Sequence, residues 1–286
     1  MRMFKALRGV GVAASVVACL LAVVANGATA ATISICVPNG VSKVVKSPPA
    51  SGICPPAGLG NTKVTLPASA TEQQTLISIL PYIKYEPAGI DGKPTIRVSE
   101  ANVQVVSGAT EAETTGVGNL IVGNDETPAT QTGSNNLVLG SEQEYTSYGA
   151  ILGGKKNATS GPFGVVFGFK NHTEGTETSV TGGIDNKARG ESSSVSGGTE
   201  NTASELATSV SGGEGNTTVQ FGTSVTGGYL NSASGSETSV SGGTLNSAGG
   251  KESSVTGGAR NKAEGEFSAI LGGQNNTLTT PYGEDF

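Results

Sequence analysis

A column of aliphatic residues recurs every fifteen positions: Val180, Val195, Val210, Val225, Val240, Val255 and Ile270. Each opens a V/I-x-G-G string, such as Val180-Thr181-Gly182-Gly183. Three residues after the second glycine stands an asparagine: Asn186, Asn201, Asn216, Asn231, Asn246, Asn261 or Asn276. Alanine often follows at Ala188, Ala203, Ala233, Ala248 and Ala263, and glycine two later at Gly190, Gly235, Gly250 and Gly265. Several columns held in register over this length mark a repeat protein, in which each unit buries its apolar face only by stacking on its neighbours.

The composition makes that period decisive. The chain has 44 glycines, no tryptophan and a single histidine. A chain so poor in large apolar residues and rich in Gly, Ser and Thr would read as disordered if it had no period. With the period, it reads as stacked strands. Side chains alternate along a strand, so Thr178, Val180 and Gly182 are expected to point inward and Ser179 and Thr181 outward. Asn and Gly tolerate the left-handed backbone of corners, and Val and Thr favour strands.

Looser copies extend toward the N-terminus. Val165 with Asn171 fits the pattern, and so does Ile151 with Asn157 after a fourteen-residue step. Leu137-Val138-Leu139-Gly140 and Leu120-Ile121-Val122-Gly123 read as earlier coils, and Val103 and Val105 as the start of the stack. The expectation is an all-β chain: a parallel β-solenoid of about twelve coils of 14–15 residues over 95–280, with a tail at 281–286. In this alignment the outward column of Thr181 is apolar at both ends, with Ile121, Val138, Leu152 and Val166 in the first coils and Leu271 in the last. An exposed apolar stripe needs a cover, and self-association supplies one at both ends.

Residues 1–30 have the pattern of a secretory signal. Arg2, Lys5 and Arg8 precede the apolar run Val10–Val24, and Ala28-Thr29-Ala30 is a small-x-small cleavage site. Val16-Val17-Ala18-Cys19 offers a lipoprotein signal as the rival, but the apolar run continues past Cys19. The run is short for a membrane span, and no second apolar segment follows. Loss of this leader takes the net charge from −6 to −9, which argues against a nucleic-acid partner. Residues 31–66 then contain Cys36 and Cys54, an even pair in an exported chain and so a candidate disulfide. Val41–Val45 and Lys63–Leu66 read as strands around a Pro/Gly loop. Within 67–94, Ser69-Ala70-Thr71-Glu72 is a capping box. A short helix is expected near 70–80, limited by Pro81.

The repeat, best seen in Ser239-Val240-Ser241-Gly242-Gly243-Thr244-Leu245-Asn246-Ser247-Ala248-Gly249-Gly250, resembles the S-V-A-I-G-x-x-S-x-A-x-G repeat of trimeric autotransporter adhesin heads, the YadA-like left-handed parallel β-roll. In texture it is closer still to exported bacterial proteins rich in S-V-S-G-G and N-T-A-S-G repeats. The resemblance covers about residues 100–280 and implies a left-handed roll and a homotrimer. No coiled-coil stalk accompanies the roll, and the sequence given ends at Pro281-Tyr282-Gly283-Glu284-Asp285-Phe286. That departs from the adhesin plan and puts autotransport in question.

Chemistry is harder to find. His172 follows a corner asparagine and has no matching nucleophile context. Glu174, Glu177, Glu237 and Glu252 read as solvated charges at coil edges. The Gly-Gly pairs lack the Lys-Ser/Thr of a phosphate loop, and no metal-ligand spacing is present. The asparagine column has two readings. One is a structural ladder of side-chain amides. The other is glycosylation, since Asn157, Asn171, Asn216 and Asn275 lie in N-x-T sequons. The functional expectation is a non-catalytic, exported structural or binding protein, secreted or at the cell surface. It is adhesin-like and needs no cofactor or metal. Its expected partner is itself, with extracellular matrix or glycan as further candidates. An ice-binding protein using the Ser/Thr columns is the alternative, and a polysaccharide-acting enzyme with a paired carboxylate site is the second.

Overall fold

The computed structural model describes residues 34–38, 61–65, 75, 78–110, 113–126 and 130–285. They belong to two compact units, one within residues 1–103 and one within 104–286.

In the first unit, β1 (Ser34–Pro38) pairs antiparallel with β2 (Asn61–Thr65), and Cys36 stands opposite Lys63. Cys54 and the Val41–Val45 segment lie outside the described residues, so the Cys36–Cys54 pairing does too. Most of the expected helix also lies outside them. Thr75, Ser78 and Ile79 are helical, and a 3-10 turn at Leu80–Tyr82 holds Pro81. Then β3 (Ile83–Glu86) pairs antiparallel with β4 (Thr95–Val98). The expected start of the solenoid at residue 95 is therefore too early, because 95–98 is spent in this hairpin. Val103 and Val105 are exposed and belong to no strand.

The second unit is a parallel β-solenoid. Among the described residues one sheet has twelve strands, from β5 (Leu120–Val122) and β6 (Leu137–Ser141) to Glu284–Asp285, and a second has ten, ending at Thr277–Leu278. The chain alternates between the sheets, so each strand pairs with those one coil before and after, as Val195 does with Val180 and Val210. Residues 284–285 pair with Ala269–Ile270 and so continue the ladder where a tail was expected.

The interior is narrow and built from small side chains. Val180, Val195, Val210, Val225, Val240, Val255 and Ile270 are all buried, facing Ala188, Ala203, Ala233, Ala248 and Ala263 across the coil. A third inward column carries hydroxyls, most of which bond back to the chain, as Thr208 Oγ1 does to the Glu205 carbonyl at 2.8 Å, while Ser193 Oγ has no partner among the described residues. Larger side chains fill the first coils, where Tyr145 is buried in the alanine column.

The corners explain one glycine of each pair. The second glycine has a positive φ, 83° at Gly183 and 85° at Gly213. A Cβ at Gly183 would collide with the carbonyl oxygen of Gly198 in the next coil. The first glycine is different. Gly197, Gly212, Gly227, Gly242, Gly257 and Gly272 have open space where a Cβ would stand, and their φ is not positive.

The expected register fails in the first coils. Val166, not Val165, pairs with Val180, and Val165 pairs with Ser179. Val138, Leu152 and Val166 are fully buried and form the interior column, not an outward stripe. Leu137, Ile151 and Val165, which were aligned with Val180, face outward. The cause is coil length. The step from Val166 to Val180 is fourteen residues, because the early coils lack the position of Gly182 and place Gly168 where later coils place Gly183. Counting fifteen back from Val180 lands on Val165, and a one-residue slip turns every side chain to the opposite face.

Candidate interaction surface

The asparagine column is spent on structure. The Oδ1 of Asn186 accepts the backbone N–H of Asn201 at 3.0 Å, and Asn201 does the same for Asn216 at 2.9 Å. The Nδ2 of Asn216 donates to the Gly212 carbonyl in its own coil and the Gly228 carbonyl in the next, both at 2.9 Å. The pattern repeats at Asn231, Asn246 and Asn261. Asn276, in the last complete coil, is half-buried: its backbone N–H still donates to Asn261 Oδ1 at 3.1 Å, and its Nδ2 donates to its own coil's Gly272. Three of the sequon asparagines, Asn157, Asn171 and Asn216, are buried members of this ladder with their amide nitrogens bonded. Asn275 alone of the four is exposed, at a left-handed corner with φ 59°.

The charged candidates are surface groups. His172 Nδ1 lies 3.6 Å from a Glu174 carboxylate oxygen, which Arg189 Nε also approaches at 3.3 Å. All three side chains are well exposed. Glu177, Glu237 and Glu252 stand at exposed corners with left-handed backbone. Glu142 sits between Lys155 Nζ at 2.9 Å and Lys156 Nζ at 3.2 Å, and these two ammonium groups hold its carboxyl below the usual range. Among the described residues, no group of three or more His, Cys, Asp and Glu could hold a metal ion, and no helix is long and apolar enough to cross a membrane.

What the coils do present is the outer face of the twelve-strand sheet. Over the later coils it carries half-buried Ser179, Ser194, Ser209, Ser224, Ser239 and Ser254 beside exposed Thr181, Ser196, Ser211, Thr226, Ser241 and Thr256. Successive rungs of a ladder stand about 4.8 Å apart, so these columns are regular. The Gly182 column beside them adds no side chain. No charged residue interrupts the S-V-x-G-G strings.

Toward the N-terminus the same face turns apolar. Leu120 is 49 % exposed, Val122 is 56 % exposed and Ile151 also lies open. Leu137, Leu139, Val165 and Phe167 beside them are half-buried. The Phe167 ring lies over Gly153, where a Cβ would strike it. Leu271 makes the face apolar again in the last coils, at 54 % exposed. Sequence reasoning placed Leu271 on the outer face as found, but in the first coils it named the wrong column. The signal that identifies the correct one is the fourteen-residue step.

Comparison with known proteins finds no family model that matches this chain and no curated protein that matches it.

Proposed function

We propose that the chain is a non-catalytic, exported structural or binding protein, adhesin-like in form, whose solenoid self-associates through the outer face of the twelve-strand sheet. The observation that carries this reading is the run of outward apolar residues Leu120, Val122, Leu137, Leu139, Ile151, Val165 and Phe167 on a face whose S-V-x-G-G strings carry no charge. Contiguous exposed apolar surface rimmed by polar residues marks an interaction site. A homotrimer is the stoichiometry that the resemblance to adhesin heads implies. The later coils then present their Ser and Thr columns and their mixed corners as a repeated surface to a glycan or matrix partner. Export rests on the leader at residues 1–30.

The test is light scattering on the mature protein with stepwise dilution. A trimer mass that falls on dilution supports the reading. A monomer that keeps its mass from micromolar concentration downward overturns self-association. A second reading is favoured by the exposed column from Thr181 to Thr256 and the half-buried serines beside it. Such an array matches what an ice-binding face needs, although serine lacks the methyl group of threonine. Thermal hysteresis in solution separates the two.

A further inference from the structure

The asparagine ladder does not begin with an asparagine. The backbone N–H of Asn171 donates to Asn157 Oδ1 at 3.0 Å, and that of Asn157 donates to Gln143 Oε1 at 3.0 Å. Gln143 is buried, and its Nε2 donates to the Gly154 carbonyl at 2.7 Å, as the asparagines donate to theirs. The backbone N–H of Gln143 is accepted by Asp125 Oδ1 at 2.6 Å. Asp125 therefore does for Gln143 what each side-chain amide does for the coil after it.

Its second oxygen breaks the pattern. Every later member of the column has an NH2 group there, donating to glycine carbonyls. Asp125 has Oδ2, which is shielded from solvent and has no hydrogen-bond partner among the described residues. An ionised carboxylate only accepts, whereas a protonated one donates from one oxygen and accepts at the other. A buried acceptor with no donor is costly, and more so when it carries charge; a proton from solvent on Oδ2 removes the charge and puts a donor where every later member of the column has its NH2 group.

We propose that Asp125 is a protonatable head of the ladder, so that the first coil of the solenoid tightens when its carboxyl takes up a proton and loosens when it ionises. Burial raises the carboxyl's pKa, and only the Gln143 N–H opposes that rise. The buried Tyr145 phenol feels the Asp125 charge and is itself raised, first by burial and then by that charge. The other titratable groups nearby in the chain are Glu126 beside Asp125, and Glu142 and Glu144 on either side of Gln143. Glu142 is neutralised by Lys155 and Lys156. Among the described residues no ion pair reaches Asp125, so no cation offsets its burial. A carboxyl raised in the folded state contributes stability that is complete below its unfolded pKa of about 3.9 and is lost as pH rises through the folded value. The first coil is then firmest in acid and weakest at neutral pH. Its strand β5 is already an open end: Ile121 stands in the interior column yet is 44 % exposed.

Hydrogen exchange of the mature protein tests this, followed by mass spectrometry on peptides covering 119–125 and 137–145 and corrected for intrinsic rates at each pH. In the wild type, protection of these peptides should fall by several-fold or more from about pH 4 to pH 7, the direction that a raised carboxyl dictates. Asp125→Asn supplies the missing NH2 and should be protected at pH 7 as the wild type is in acid, with no dependence on pH. Asp125→Ala removes the acceptor for Gln143 and should exchange fast at every pH. Wild-type protection that is flat with pH overturns the proposal. So does Asp125→Asn exchanging as fast as the wild type at pH 7, or Asp125→Ala matching Asp125→Asn.

Discussion

Val166 lies beside Val180 in the twelve-strand ladder, fourteen residues away in the chain, and both are fully buried. Val165, its neighbour, lies beside Ser179 and is half-buried on the outer face. The two valines are adjacent in sequence and have opposite surroundings. Val166→Asp should therefore disrupt the coils around it, costing about 3–5 kcal/mol for a buried, unpaired carboxylate. Val165→Asp should cost far less. Val225→Asp and Ser224→Asp should differ in the same way in the later coils, where Val225 is buried. Thermal or urea unfolding of the four variants checks this, and equal losses within either pair would refute the inward assignment.

The two glycines of each pair should also separate by mutation. Gly213 has φ 85°, and a Cβ there would strike the Gly228 carbonyl. Gly213→Ala should lose about 1–2 kcal/mol to the left-handed backbone alone, with the clash added. Gly212 has open space and no positive φ. Gly212→Ala should be neutral, or stabilise by about 0.4–1 kcal/mol by restricting the unfolded chain. Urea midpoints of the two variants decide it.

The period made the later coils legible, because Val, Asn and Ala each repeat at a position that one side-chain environment dictates. The first coils were harder to read. Their strings Leu137-Val138-Leu139 and Val165-Val166-Phe167 are apolar at inward and outward positions alike, so alternation gives no phase there. Only coil length fixes it, and the length changes at Gly182. The hairpin of β3 and β4 was missed because Thr95-Ile96-Arg97-Val98 alternates as a solenoid strand would. Its partner strand, Ile83-Lys84-Tyr85-Glu86, alternates with it, and Arg97 pairs with Glu86 at 3.0 Å across the two. That pairing was available as charge complementarity between two alternating runs. The head of the ladder at Asp125 had no signal, since its spacing from Gln143 matches no other step.

Asn216 tests the ladder from the middle. Asn216→Ala leaves the Asn231 N–H and the Gly212 carbonyl without partners, each worth about 1–3 kcal/mol when buried, and leaves the Gly228 carbonyl with the Glu214 N–H alone. It should be among the most damaging single changes in the solenoid. Asn216→Asp keeps the acceptor but loses the donor. Its carboxyl should titrate high, so the variant should be weak at neutral pH and recover as pH falls through that raised value. Thermal midpoints of both variants across pH check this, and an Asp variant no more stable in acid than at neutral pH would refute the donor argument.

Glu142 offers a titration with the opposite sign. Lys155 first and Lys156 second depress its carboxyl pKa. A depressed carboxyl contributes stability above its unfolded value and loses it as pH falls through the folded one. All three side chains are well exposed, so salt should screen the effect. Carbon-detected NMR titration should place Glu142 below the ordinary glutamate value in low salt and move it back toward that value in high salt. A titration at the ordinary value in low salt would count against both ion pairs.

Self-association can be separated from folding by substitutions on the outer face alone. Ile151 and Val165 are ladder partners that point outward in adjacent coils, while Leu152 and Val166 beneath them hold the interior. A charge at Ile151 or Val165 meets water in the monomer but apolar surface in an assembly. Removing apolar area from water stabilises by about 25 cal/mol per Å², so a patch of several such residues contributes a few kcal/mol to each contact. The double variant Ile151→Lys with Val165→Lys should therefore keep the wild-type unfolding midpoint at monomeric dilution yet remain a monomer at concentrations where the wild type assembles. Ser224→Lys with Ser239→Lys, on the same face among the hydroxyl coils, should leave the mass unchanged if the apolar coils make the contact. Light scattering beside thermal unfolding distinguishes the outcomes. Dissociation by the serine pair alone would move the interface to the hydroxyl columns. A wild-type monomer throughout would leave the apolar face without a second copy to cover it.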